Sequence, residues 1–281
     1  MNDRPAMRRA PTADWAVAIR RDALDKTWTV ERRGRIELVV DLVEGKRVLH
    51  LGCVDHSVAS FEGSEWLHAH LLRASSSCVG VDMDEEGVEA MRSRGMEAYV
   101  ADINEAPPPE LRRIPKFDWV VAGELIEHLP APQSLLTFAQ AVLAPRGRLL
   151  VTTPNPYAPW RVMRGQTRRT WENIDHIMYV FPSGIAEMAA RTNMRLEIAT
   201  TVNHHAFREV AKSALLHPLR RFAHRLRLQG EGDLPWNYVS VFETATFLAR
   251  KRHGWLGETA VYVLVPETVD AASLDEAPRA V

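Results

Sequence analysis

Cysteine is almost missing from this chain, with two in 281 residues, Cys53 and Cys78. Both fall in apolar runs that read as strands, so neither a disulfide framework nor a cysteine-based metal centre is expected, and a reducing cytoplasm is the simple expectation. An excess of one charge is missing too. Thirty-five Lys and Arg face 36 Asp and Glu, for a formal net charge of -1. No global field therefore draws the chain to nucleic acid or to an anionic membrane. No apolar run approaches the roughly 20 residues of a membrane span. The first residues, Met1 to Arg9, lack the apolar core of a secretory signal. Internal repeats and low-complexity tracts are absent as well. What remains is ordinary globular composition, 46% apolar, enough to bury one large α/β core without staples.

Four short apolar runs stand out in the first half, each ending in a polar residue or a tight turn. They are Val48-Leu49-His50-Leu51-Gly52-Cys53, Cys78-Val79-Gly80-Val81-Asp82, Ala98-Tyr99-Val100-Ala101-Asp102 and Phe117-Asp118-Trp119-Val120-Val121-Ala122-Gly123. Helical patterns separate them, so they read as parallel strands whose C-terminal ends share one rim. Ligands of an open α/β sheet bind at such a rim. This one would carry a glycine turn, then Asp82, then Asp102, then Glu124-Leu125-Ile126-Glu127-His128. An acid after the second strand can hold both ribose hydroxyls, and a second acid can accept a bond from an adenine amine.

In these residues the chain resembles the class I S-adenosylmethionine-dependent methyltransferases over about residues 30–200, and most of all the ubiquinone-biosynthesis type of small-molecule O-methyltransferase. Val48 to Cys53 matches the first-strand motif, Val79-Gly80-Val81-Asp82 the ribose motif, and Ala101-Asp102-Ile103 the adenine motif. Phe117 to Val121 leads into Glu127-His128. Leu143-Ala144-Pro145-Arg146-Gly147-Arg148-Leu149 running on to Thr153-Pro154-Asn155 matches a further passage. The resemblance implies a Rossmann-like seven-stranded sheet in order 3-2-1-4-5-7-6, with helices on both faces. It implies S-adenosylmethionine as cofactor, held by Gly52, Cys53, Asp82, Met83, Asp102, Ile103 and Gly123. One departure stands out. The family's acid and three alternating glycines are here His50, Gly52, Val54 and His56, and bulk at the last two positions should crowd the methionine end of the cofactor. Either the loop takes another path, which the delayed helix after Ser60 to Glu65 favours, or cofactor affinity is poor.

The chemistry is expected after the fourth strand. If Glu124 opens a helical turn, Glu127 and His128 fall on its face at i+3 and i+4. In one reading His128 is a general base for a hydroxyl as the methyl transfers. In the other, a divalent ion coordinates that hydroxyl and lowers its pKa. The pattern also resembles the metal site of small-RNA 3′-terminal 2′-O-methyltransferases, with Glu124, Glu127, His128 and His176 in its four positions. Carboxylate and imidazole ligands suit Mg²⁺ or Mn²⁺, or Zn²⁺ by affinity. A third reading gives Glu127 and His128 only a helix-capping role.

The expected organisation is an N-terminal helical cap over 1–45, with helical patterns at 13–25 and 30–43, and a methyltransferase domain over 46–265. Helices are expected over 85–94 and 132–144, a sixth strand over Arg195 to Val202, and a last over Ala260 to Val265. An added helical segment occupies about 204–256, and 266–281 is a polar, disordered tail. Asp118 reads as a turn or cap residue, and Trp66, His68 and His70 share a helix with one packed and one wet face. His204-His205 reads as surface. Trp160, Arg161, Arg164, Arg168, Arg169 and Trp171 form a loop that either binds the acceptor or is simply solvated. Arg208 to Leu228 alternates basic and apolar residues. It fits an amphipathic lid, a homodimer helix, or a surface for a membrane, a lipid-linked or polyphosphorylated substrate, or RNA backbone.

These features together read as an O-methyltransferase of a small polar acceptor, a sugar hydroxyl of a glycoside, nucleotide-sugar or natural product being the preferred class. The rivals are an RNA 2′-O-methyltransferase and an inactive methyltransferase-like binding module.

Overall fold

The structure is a computed structural model that describes Thr27, Thr29, residues 31–158, Arg161, Asn173, and residues 175–203 and 254–267. Helix α1 is Arg35–Val43, followed by β1 Arg47–Leu51, α2 Leu67–Ala74 and β2 Ser77–Asp82. Then come α3 Glu85–Ser93, β3 Ala98–Val100, α4 Pro109–Arg113 and β4 Phe117–Gly123. The chain continues through α5 Gln133–Val142, β5 Leu143–Pro154, α6 Pro182–Arg191, β6 Met194–Val202 and β7 Thr259–Pro266. The strands form one sheet in order β3-β2-β1-β4-β5-β7-β6. β1 to β5 run parallel, and β7 enters antiparallel between β5 and β6.

Both faces of this sheet are covered, which is why its strands read as nearly continuous apolar runs. Side chains of period two divide the core. Leu49, Leu51, Val120, Ala122, Leu149 and Val151 face Leu135 and Phe138 of α5 and Ile185 of α6. Val48, Trp119, Val121, Leu150 and Val263 face Leu38, Val39 and Val43 of α1 and Leu67 and Leu71 of α2. Fully burying one such side chain contributes about 1.5–3 kcal/mol. The Tyr262 hydroxyl, buried in the first layer, donates to the Val180 carbonyl at 3.3 Å.

Capping chemistry sets several boundaries. Asp84 accepts the Glu86 N–H at 3.1 Å, and acids Glu85 and Glu86 fill the first turn of α3. Asp118 caps a strand start by accepting the Arg47 N–H at 3.0 Å, the role read for it. His68 is buried and His70 part-exposed, the two faces read for that helix.

Three boundaries differ from expectation. The helix expected over 30–43 begins at Arg35, because Glu31 bonds the N–H groups of Arg32 and Arg33 and holds that turn out of the helix. The helix expected to reach 144 ends at Val142, and Leu143 already pairs with Phe117 in β5. Pro145-Arg146-Gly147 is therefore a bulge, the register jumping from Phe117↔Leu143 to Trp119↔Arg148. β3 ends at Val100, so Asp102 follows the strand instead of closing it. The expected helix at 13–25, the addition at 204–256 up to residue 253, the Arg208 to Leu228 stretch, His204-His205 and the tail from 268 lie outside the described residues.

Candidate active site

At the end of β1 the chain turns through Gly52, whose φ of 72° favours a residue without Cβ. A Cβ there would also come within 3.2 Å of Leu125, so the loops after β1 and β4 are in contact. Asp82, at the end of β2, ties the first loop down. Its Oδ2 accepts the Val54 N–H at 2.9 Å and its Oδ1 the Asp84 N–H at 3.1 Å. A carboxylate offers about four lone-pair directions, so acceptor capacity remains for ribose hydroxyls. Burial, outweighing those backbone bonds, raises the Asp82 carboxyl above its ordinary value. Met83 beside it is 72% exposed, a bare apolar surface at the rim. Ile103 is buried, while Asp102 is exposed and its Oδ1 accepts both the backbone and side-chain N–H of Asn104, at 2.8 and 2.9 Å.

Val54, expected to crowd the methionine end of the cofactor, is packed into the core. Val54 is fully buried among Cys53, Phe61, Trp66, Val88 and Met91, and it leans on Gly87 of α3, where an added Cβ would lie 2.4 Å from Val54 Cγ1. The loop thus follows another path, with a short 3-10 turn at Val58–Glu62 before α2. His56 is the outward residue, its side chain 71% exposed. The Cys53 side chain belongs to the core instead of the rim. Its thiol is 3.5 Å from the Met91 sulfur, its carbonyl accepts the Trp66 indole N–H at 2.9 Å, and burial holds it well above the ordinary thiol range.

His50, in the family's acid position, is buried against His68 of α2 with their Nδ1 atoms 3.2 Å apart. One donates and the other accepts, so at least one of these Nδ1 atoms is unprotonated. Burial holds both imidazoles below their ordinary value, His68 at about 4. The Arg35 charge adds to the depression of His50.

After β4 the backbone passes through Glu124 in a left-handed conformation, φ 51°, its N–H donated to Thr152 O at 2.9 Å. A 3-10 turn, Ile126–His128, follows. Glu124 therefore does not open the helical turn expected, and the strained φ separates it from the next two residues. Glu127 is fully buried. Its Oε2 accepts the Thr153 hydroxyl at 3.0 Å, and its Oε1 is buried without a hydrogen-bond partner. Burial first, and the Glu124 charge second, raise the Glu127 carboxyl to about 8. His128 donates Nδ1–H to the Asp175 carbonyl at 3.1 Å, and Ile177 N–H donates to Glu127 O at 3.0 Å, so the segment before α6 is clipped onto the turn. That clip brings His176 to His128, ring centroids 4.7 Å apart and nearly perpendicular.

Glu127, His128 and His176 each offer a ligand atom, all within 4.8 Å of one another. Three of the four expected metal ligands thus converge, and Glu124 stands outside the group. A divalent ion fits this donor set. The orphaned Glu127 oxygen lacks a partner, and Thr153 and Asp175 supply the outer bonds that orient a ligand carboxylate and imidazole. Glu124 is half-buried near Arg35, and desolvation raises its carboxyl despite the charges of Arg35 and Arg161.

Arg35 was not singled out by the sequence. It opens α1, and a Cβ on Gly123 would be 3.5 Å from its Nη1. A basic residue in the first turn of a helix opposes the macrodipole, and that was the one signal available. Asn155 is a clamp, not a ligand. Its side-chain amide donates to the Trp255 and Gly257 carbonyls, each at 2.7 Å. Of the arginine-rich loop only Arg161 is described, donating to Glu258 O at 2.7 Å with its guanidinium 5.9 Å from the Tyr179 ring centre.

Sheet order, glycine turn and the acid after β2 define a class I S-adenosylmethionine-dependent methyltransferase. A family model described as a methyltransferase domain matches residues 28–197, and the chain belongs to that family. Among curated relatives, a ubiquinone biosynthesis O-methyltransferase of Bordetella pertussis is 29% identical over 127 residues, 44% of this chain and 49% of that one. One from Coxiella burnetii is 22% identical over 193 residues, 65% of this chain and 79% of that one. The chain spans about half the length of the first of these. An S-adenosylmethionine-dependent methyltransferase from Archaeoglobus fulgidus is similar at a TM-score of 0.46 and 15% identity, covering 89% of this chain and 99% of that one.

Proposed function

We propose that this chain transfers the methyl group of S-adenosylmethionine to a hydroxyl oxygen of a small polar acceptor, a sugar hydroxyl of a glycoside, nucleotide-sugar or natural product being the preferred class. The observation that carries the reading is the convergence of Glu127, His128 and His176 beside the cofactor rim, with one Glu127 oxygen buried and unpaired. A divalent ion such as Mg²⁺ or Mn²⁺ held there would lower the pKa of a hydroxyl that it coordinates. Because a carbonyl only accepts, His128 keeps its proton on Nδ1 and presents Nε2, as ligand or as base. The hydroxyl oxygen attacks the methyl carbon in line as the carbon–sulfur bond breaks. The sulfonium leaves as the neutral thioether of S-adenosylhomocysteine, and the hydroxyl proton passes to a base.

Further support comes from the surface beside this cluster. Tyr157, Tyr179, Phe181 and Ile177 are exposed there, with the Tyr157 and Phe181 rings 5.5 Å apart. Ring faces next to carboxylate and guanidinium groups suit an acceptor with an apolar face and polar edges, as a sugar has. Among the described residues no helix is long and apolar enough to cross a membrane. The test is methyl transfer from labelled S-adenosylmethionine to a panel of glycosides and nucleotide-sugars, with and without EDTA. Transfer to a sugar hydroxyl that EDTA abolishes is expected. Transfer to nitrogen, to RNA or to nothing, with the cofactor bound, would overturn the acceptor class. Transfer that persists in EDTA would retire the metal.

A further inference from the structure

The ends of β1 and β4 lie side by side, paired to Leu51↔Ala122, and each runs into a glycine, Gly52 and Gly123. Neither has a side chain to keep a ligand off the backbone. The surroundings of Gly123 are polar. A Cβ there would have Arg35 Nη1 at 3.5 Å and Thr152 Oγ1 at 3.7 Å, so a guanidinium and a hydroxyl stand within 4 Å of one point. Thr152 is fully buried, in register with Gly123 on β5, and its hydroxyl has no hydrogen-bond partner.

Glu124, the next residue, is fastened to the same spot. Its N–H donates to Thr152 O at 2.9 Å. Its left-handed φ of 51° is costly away from glycine, and such conformations concentrate at functional sites. One carboxylate oxygen, Oε1, is buried without a partner. Guanidinium, hydroxyl and carboxylate are thus gathered at one glycine on the rim.

This group is separate from the Glu127, His128 and His176 cluster. Successive side chains of a strand point to opposite faces, and Thr153, the neighbour of Thr152, is the residue that bonds Glu127. A metal ion is also a poor occupant beside a guanidinium, because like charges repel. An α-amino acid is a good one, since it carries an ammonium and a carboxylate on a single carbon. We propose that Glu124 accepts the α-ammonium of the cofactor's methionine moiety, with the Thr152 hydroxyl beside it and Arg35 facing the α-carboxylate. This rests on S-adenosylmethionine as the cofactor and is independent of the metal. An ammonium only donates, and a buried carboxylate oxygen is costly until a donor reaches it, so each satisfies the other.

The test compares two ligands that share a nucleoside and a sulfur. S-adenosylhomocysteine carries the amino-acid group and 5′-methylthioadenosine lacks it. Calorimetry follows both on wild type and on Glu124→Gln, with folding checked by circular dichroism. Glu124→Gln should bind S-adenosylhomocysteine roughly tenfold or more weakly, as expected for a hydrogen bond between charged groups, and should bind 5′-methylthioadenosine as wild type does. Wild-type affinity for S-adenosylhomocysteine in the variant would overturn the role of Glu124. Equal losses for the two ligands would overturn it too, because the amino-acid group would not be what Glu124 reads. Loss of Mn²⁺ binding with S-adenosylhomocysteine affinity intact would return Glu124 to the metal. A wild-type protein that binds neither nucleoside would overturn the cofactor itself.

Discussion

The His128 imidazole donates its Nδ1–H to the Asp175 carbonyl, 47 residues away in sequence and 3.1 Å away in space. This bond fixes the tautomer and leaves Nε2 for chemistry. Asp175 holds the position with a left-handed φ of 66°. His128→Ala should therefore lower turnover by about 10²–10⁴-fold if the imidazole takes the proton, and should leave S-adenosylhomocysteine affinity unchanged. Calorimetry and single-turnover rates together check this. A fully active variant would remove His128 from the chemistry.

Glu127 is a buried acid whose folded pKa, about 8, lies above its unfolded value. The sign follows from linkage. An acid raised on folding favours the folded state at low pH and costs stability as pH rises above the unfolded pKa. Glu127→Gln should thus raise the Tm of metal-free protein at neutral pH, because it removes both the burial cost and repulsion by Glu124. Added Mn²⁺ should raise the Tm of wild type and not of the variant. A lower Tm for metal-free Glu127→Gln would contradict this account.

Asp82 holds the loop after β1 and, on the proposed reading, the ribose of the cofactor as well. Asp82→Ala should weaken S-adenosylhomocysteine binding by roughly tenfold or more, about 1.4 kcal/mol per decade. It should also release Val54 N–H, which hydrogen exchange at that amide would report. Unchanged affinity would move the ribose role to Asp84.

His50 and His68 make the fold acid-sensitive. Both are held below their ordinary value in the folded state, His68 at about 4 from 6.5. Their contribution is present above the unfolded value and is lost as pH falls from about 6.5 towards 4. Urea unfolding across that window should show a stability loss that His68→Leu reduces. Identical slopes in the two proteins would sink the assignment.

Gly87 exists because of Val54. An added Cβ would lie 2.4 Å from Val54 Cγ1, so Gly87→Ala should destabilise by about 1–3 kcal/mol, although alanine normally favours a helix. Val54→Ala in the same chain should recover part of that loss. Additivity in the double-mutant cycle would mean that the two side chains do not meet.

The early strands were legible in the sequence, because burial on both faces makes β1, β2 and β4 nearly continuous apolar runs, while their order in the sheet followed from the family resemblance. The acids at the rim were legible for a related reason, since a strand end fixes where the next side chain lies. Local chemistry also decided the Asp84 cap and the Gly52 turn. Tertiary structure alone decided the rest. It turned Val54 into a core pocket made by Gly87, and it paired His50 with His68 through an unrelated helix. It left Glu124, in a left-handed conformation that no propensity for glutamate foretells, outside the ligand group. It placed Arg35 at a rim some 90 residues further along the chain. The meeting of Glu127 and His128 with His176 depends on a clip between two backbone segments, and spacing along a chain does not encode such a contact.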